Sequence, residues 1–194
     1  MRWLAIVAAV IAAVLDVLYL GIVRSQPGPS DGQYLRVPFV AAFIAVLAIA
    51  AALSVRQSAA KIRPALLALS ATGLLTTGYI ALFSIGLPLL IAGALAFVAA
   101  VLSVTRSPRP AGAMRALAGA LVAALIFVGG FDLTERAIAC PPAGFMSGSG
   151  QGFIFSGTYH YTCANGKLSV KNGFCNRSGA SMDSTGKVIS VSDC

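Results

Sequence analysis

The sequence predicts an all-α membrane protein, a bundle of five transmembrane helices with the N-terminus inside and the C-terminus outside. A small, disulfide-stapled, β-rich extracytoplasmic tail follows it. Three observations predict this class. Of 194 residues, 58% are hydrophobic and only 10% are charged, against about a quarter charged in a soluble domain; mean hydropathy is +0.86. The few charges fall at the ends of long apolar runs, and all four cysteines lie beyond residue 139. A chain this apolar cannot give water a polar surface, so its solvent is lipid.

Taken in order, the first run extends over about 3–23 and is broken only by Asp16. It is longer than a signal-peptide core of about 7–15 residues and no Ala-x-Ala site follows, so it reads as an uncleaved first span. Gln26-Pro-Gly-Pro-Ser-Asp-Gly32 breaks the helix, because Pro and Gly punctuate regular structure. The second span covers about 37–55 and ends at Arg56, with Lys61 and Arg63 behind it. Pro64 suits a first helical turn, where its missing N–H would be unpaired anyway.

From Pro64 to Thr105 no residue is charged. One helix of that length would rise roughly 63 Å at 1.5 Å per residue, about twice the hydrocarbon thickness. Ser84-Ile-Gly-Leu-Pro88 lies at its midpoint. Pro88 removes a backbone donor and disfavours helix in Leu87. The stretch therefore reads as two spans, about 64–84 and 87–105, joined by a turn. A fifth span covers about 115–138. The whole bundle occupies 1–139 and the tail 140–194.

Charge placement tests the count. With five spans and the N-terminus inside, Arg2, Arg56, Lys61, Arg63, Arg106, Arg109 and Arg115 are cytoplasmic, and no acidic residue joins them. The outer loops carry only Arg24 and Arg36, with Asp31 between them. That is a positive-inside pattern. With one span in place of the middle two, the clusters at 56–63 and 106–115 would face opposite sides and the bias would vanish. The formal net charge of +8 thus has a use in orientation. Binding of nucleic acid is excluded as a reading, because no aromatic residues interleave with the basic ones to stack on bases.

In the tail, Cys140, Cys163, Cys175 and Cys194 read as two disulfides in an exported piece with little core of its own. Four cysteines allow three pairings. Asn165-Gly166 and Asn172-Gly173 are tight-turn signals, and Val188-Ile-Ser-Val-Ser192 alternates as a half-buried strand does. A meander of three or four strands follows, with Cys163 opposite Leu168 and Cys175 opposite Val170. That register disfavours the pairing Cys163–Cys175. Residues 141–152 read as a turn-rich neck.

Few residues carry chemistry. Asp16 lies roughly 20 Å along the first helix from Arg2. An intramembrane carboxylate is costly and a functional candidate; the structural alternative is a contact with Arg24, Arg36 or a neighbouring hydroxyl. Thr72, Thr76 and Tyr79 share a face of the third span at i, i+4, i+7 and could line a polar path or bond within the bundle. Ala92, Ala96 and Ala100, and Ala41, Ala45, Ala48 and Ala52, form small-residue faces for close helix approach. Asp132, Glu135 and Arg136 form a charged outer-interface group, with Asp132 and Arg136 an i, i+4 pair. His160 is the only histidine and reads as a surface side chain, since a metal needs several ligands.

No cofactor, metal or catalytic motif is visible. Gly148–Gly152 lacks the Lys-Ser/Thr ending of a phosphate loop, no Cys-x-x-Cys exists for thiol–disulfide exchange, and Asn176-Arg-Ser178 is only a formal glycosylation acceptor. An enzymatic reading would have to rest on Asp132, Glu135 and His160, and is the weakest. The sequence points to a non-catalytic accessory or interaction subunit in the plasma or inner membrane. Its partners are the lipid bilayer and a protein to which the exported tail is presented. The alternative is a small transporter or channel subunit using Asp16 and the polar face of the third span.

Overall fold

The computed structural model describes residues 2–25, 36–106, 110–135, 138, 140–151, 157–173 and 179–192. Among them are five helices: α1 (Arg2–Ser25), α2 (Arg36–Leu53), α3 (Arg63–Ile80), α4 (Leu87–Thr105) and α5 (Pro110–Glu135). Five strands follow: β1 (Phe145–Gln151), β2 (Thr158–Ala164), β3 (Lys167–Asn172), β4 (Gly179–Met182) and β5 (Val188–Ser192). The chain divides into two compact units, Met1–Pro27 with Pro38–Phe127, and Gly28–Val37 with Val128–Cys194.

In the helical unit, prolines set the starts. Pro64 and Pro88 occupy the first turns of α3 and α4, and Pro110 opens α5. That last start is five residues earlier than the expected 115. Pro110 needs no donor at a helix start, and Arg115 is carried on an exposed face.

The Ser84–Pro88 stretch is a turn. α3 stops at Ile80, and one π-helical turn, Leu82–Gly86, leads into α4, with Gly86 N–H donating to the Ala81 carbonyl at 2.9 Å. α3 and α4 then run antiparallel, Gly78 against the Leu90 backbone and Gly93 against Leu75. A Cβ on Gly78 would come within 2.9 Å of Leu90 N, and one on Gly86 would run into the Gly78 carbonyl. Backbones this close admit only glycine.

α3 is the central element. Ala8 of α1, Ala71 of α3 and Ala96 of α4 form one buried cluster, and Ala5, Leu67, Ala99 and Ala100 another. α2 lays Leu47 over Gly73, and α5 sets Gly119 on the Ala65 backbone. Phe43 of α2 meets Phe127 of α5 at 5.7 Å between centroids. Successive helices alternate in direction in all these pairings.

The small-residue face of α4 is the packed one, with Ala92, Ala96 and Ala100 all buried. On α2, Ala41 and Ala48 are buried with Ile44 and Leu47, whereas Ala52 faces outward. Large side chains lie outside: Trp3 is 78% exposed, Val17 70% and Leu125 72%. This is the reverse of a water-soluble domain, where such patches stay small. It is the arrangement of helices that approach through Gly and Ala while larger side chains face lipid. Three helical segments, Arg2–Ile22, Leu87–Thr105 and Pro110–Thr134, are long and apolar enough to cross a membrane; Pro38–Leu53 is apolar but shorter.

In the second unit, β1, β2 and β3 form an antiparallel sheet in that order, and β4 and β5 a separate hairpin. The expected meander is therefore a three-stranded sheet plus a hairpin. Asn165 and Gly166, at φ 50° and 77°, make the tight turn between β2 and β3. Cys163 faces Leu168, as the two-residue loop requires.

Two expectations are corrected. The neck contains a strand: β1 pairs with β2 along its whole length, Gly148 opposite Tyr161 and Gly150 opposite Tyr159. The Tyr161 ring lies over Gly148, its nearest atom 2.5 Å from where a Cβ would stand, so glycine supplies the room an aromatic neighbour fills. Asn172 does not take the corner of a tight turn, and the chain after Gly173 lies outside the described residues. Asn172 pairs with Tyr159 inside β3, and Gly173 N–H continues the ladder to the Thr158 carbonyl at 2.8 Å. The expected Cys175–Val170 pairing falls on a residue outside those described. On one face of β2, Tyr159, Tyr161 and Cys163 are buried with Ile138.

Candidate functional site

Cys140 and Cys163 form a disulfide, with Cα atoms 5.4 Å apart and a sequence separation of 23. It ties the chain leaving α5 to the middle strand of the sheet. Cys175 and Cys194 lie outside the described residues.

The charged candidates divide. Asp16 sits on α1, half-buried. Its Oδ1 is buried and meets no hydrogen-bond partner among the described residues. The side chains of Arg24 and Arg36 are not among those described, nor are Glu135 and Arg136. Asp132 is exposed on the last turns of α5.

The Thr72/Thr76/Tyr79 face is not drawn into the interior. Tyr79 is 74% exposed, and Thr76 Oγ1 donates to the carbonyls of Thr72 (2.8 Å) and Gly73 (3.0 Å). On α3 the buried hydroxyls are Ser70 and Thr77 instead. Ser70 Oγ lies 2.9 Å from the carbonyls of both Leu66 and Leu47, the second on α2, and Thr77 Oγ1 donates to Gly73 O at 2.8 Å. Helical period alone cannot say which face of a polar helix turns inward.

His160 departs from the surface reading. Both ring nitrogens are buried without a hydrogen-bond partner among the described residues. The residue sits on the middle strand, opposite Ser149 on β1 and Lys171 on β3, where neighbouring strands flank it on both sides. Among the described residues no three His, Cys, Asp or Glu side chains gather as a metal site would need.

What the structure does assemble is basic. Arg63, at the start of α3, donates from Nε to the Ser54 carbonyl at 2.7 Å and from Nη2 to the Arg56 carbonyl at 3.3 Å. It thereby satisfies the Ser54 carbonyl just past the end of α2 and favours that helix's negative dipole end. Arg115 Nη1 donates to the Lys61 carbonyl at 2.8 Å. Arg2, Ser54, Arg63 and Ser103 line a cavity of about 20 Å³, room for roughly one water. Arg2, Arg56, Lys61, Arg63 and Arg115 thus meet at one end of the helical unit. The sequence signal was there in the charge clusters; the carbonyl-capping role of Arg63 was not.

The fold and these features define a helical protein with an alanine-packed interior, an apolar exterior, a basic end and a disulfide-tied β module. Compared with known proteins, the chain matches no family model, no curated protein and no solved structure.

Proposed function

We propose that the chain is a multi-pass membrane protein of the plasma or inner membrane. Its five helices cross the bilayer with the basic end in the cytoplasm and carry the β module on the extracytoplasmic side. There the module is presented to a protein partner, and the chain acts as a non-catalytic accessory subunit. The observation that carries this reading is the gathering of Arg2, Arg63 and Arg115 with Arg56 and Lys61 at one end, the end that positive-inside orientation keeps in the cytoplasm. The Cys140–Cys163 bond supports the other half, since disulfides persist in oxidising compartments. The alternating helix directions support an odd number of crossings.

Two measurements test it. A membrane-impermeant reagent applied to intact cells should label a cysteine introduced at Lys187; protection until lysis overturns the orientation. Gentle-detergent purification with cross-linking should recover a stoichiometric protein partner, and a clean monomer with measurable solute flux overturns the accessory role.

A second reading, a small transporter or channel subunit, is favoured by one observation, the buried and unpartnered Asp16 Oδ1 among the described residues. An intramembrane carboxylate can carry a proton or a cation. Asp16→Asn should then abolish pH- or ion-dependent flux in vesicles. Unchanged flux removes the reading.

A further inference from the structure

We propose that the basic end of the helical unit holds an anionic phospholipid, one acyl chain lying in a groove over α3 between α4 and α5 and its phosphate meeting Arg106 and Arg115. The proposal rests on the membrane reading above. The groove has a volume of about 360 Å³, and Phe97, Val101, Thr105, Ala113, Leu117 and Ala120 line it. From Phe97 to Thr105 it runs roughly 12 Å along the helix axis, close to the depth of one leaflet's hydrocarbon, about 15 Å.

Its two ends differ chemically. The inner end is apolar apart from Thr72. The other ends at Thr105, whose chain neighbour is Arg106, and at Ala113, two residues before Arg115, which also adjoins Ala116 of the lining. Both arginines are exposed. Arg115 uses Nη1 on the Lys61 carbonyl, which leaves its other guanidinium donors for a ligand, and Thr105 Oγ1 is turned back to the Leu102 carbonyl at 3.2 Å. An apolar slot one leaflet deep, opening beside two guanidinium groups, is complementary to a negative headgroup on a hydrocarbon tail. Basic pockets between membrane helices recognise such lipids in this way.

The test uses the full chain in mixed micelles, with phosphatidylglycerol and phosphatidylcholine of identical acyl chains compared by native mass spectrometry. Phosphatidylglycerol should be retained selectively. Arg106→Gln should cut that selectivity about fivefold, since each basic group near an anionic surface is worth about a factor of five, and Arg106→Lys should keep most of it. Ala113→Leu with Ala116→Leu fills the slot with good helix formers and should abolish retention of either lipid at this site. Equal retention of the two lipids overturns the proposal, as does selectivity that survives the filled groove. Dimers that the filling breaks apart would show a second copy as the occupant and overturn it too. Should the filled variant fail to fold, the Gln and Lys variants decide alone. Carbonate extraction separates the failures: a chain released from membranes sinks the membrane reading, whereas an integral chain without lipid selectivity sinks only this site.

Discussion

Replacing Cys140 and Cys163 with alanine removes the covalent tie between the chain leaving α5 and the middle strand of the sheet, without placing a hydroxyl in the buried cluster around Tyr159 and Tyr161. With 23 residues of sequence separation, the chain-entropy model gives about 3.4 kcal/mol of lost stabilisation. A unit this small seldom holds more than roughly 3–5 kcal/mol from its core alone. The double variant therefore leaves the sheet with no more than that core contribution, roughly 3–5 kcal/mol at most. Hydrogen exchange on the full chain in micelles reads this directly, because exchange through opening tracks the opening free energy. Amides of β2 and β3 should exchange on the order of 300-fold faster, at about 1.4 kcal/mol per tenfold. Amides of α3 and α4 should keep their rates. Reducing the native protein should reproduce the pattern. A change under about fivefold in β2 and β3, or equal loss in α3 and α4, would refute the argument that the tie stabilises this unit in particular.

Other perturbations test separate parts. Asp183 Oδ1 accepts hydrogen bonds from the Thr185 hydroxyl at 2.6 Å, the Lys187 N–H at 2.9 Å and the Thr185 N–H at 2.9 Å. The Thr185 hydroxyl first, then the Lys187 amide, hold its carboxyl below the usual carboxylate range. A lowered folded value means the contribution is whole above the unfolded value near 3.9 and is lost as pH falls through the folded one. Amide shifts of Thr185 and Lys187 should stay constant from pH 8 to 5 and move only below about 4, and Asp183→Asn should flatten that response. Movement near pH 6 would contradict it. Gly78→Leu should disrupt the α3–α4 hairpin and its thermal stability in detergent, because the obstructing atom, Leu90 N, belongs to backbone; an unchanged melting temperature would count against that packing. Ser70→Ala, despite full burial, should cost only about 0.6 kcal/mol, a typical value for such bonds between membrane helices. A loss above about 2 kcal/mol would mean the hydroxyl does more than bridge to Leu47. With Cys140 and Cys163 joined, Cys175 and Cys194 are left for each other, and non-reducing peptide mapping should recover that pair; free thiols at either position would refute it.

What could be read from sequence alone followed locality. Pro64, Ser84–Pro88 and the charge clusters act where they stand, so helix existence, the central turn and the grouping of basic residues were legible. The Asn165-Gly166 turn was too, because φ above zero is a property of those two residues. β1 was not. Gly148 and Gly150 give a strand no side chains, and what Gly148 gains comes from the Tyr161 ring across the sheet. Asn172-Gly173 carried the same local signal as Asn165-Gly166 but yielded to pairing with Tyr159 and Thr158. On α3, the period gave the faces but not their rotation. Leu47 over Gly73 and the Ser70 bridge to α2 turn Thr77 inward and Tyr79 outward, and those partners are distant in sequence.

The composition of α3 follows from the same packing. It is the most polar of the five helices in its middle, with Ser70, Thr72, Thr76 and Thr77, and is not among the segments apolar enough to cross a membrane by length and composition. Such a criterion assumes that a helix must supply its own contact with lipid. α3 touches α1, α2, α4 and α5, and half of its 18 residues are buried. A helix screened by four neighbours transfers little surface to hydrocarbon, and its hydroxyls cost little once they bond to carbonyls of α3 or α2. The apolar requirement passes to the screening helices. α1, α4 and α5 carry it, with alanines turned toward α3 and Val, Leu and Phe turned away. In the proposed membrane bundle, low hydropathy in α3 is therefore what a central position permits, and it does not count against a crossing there.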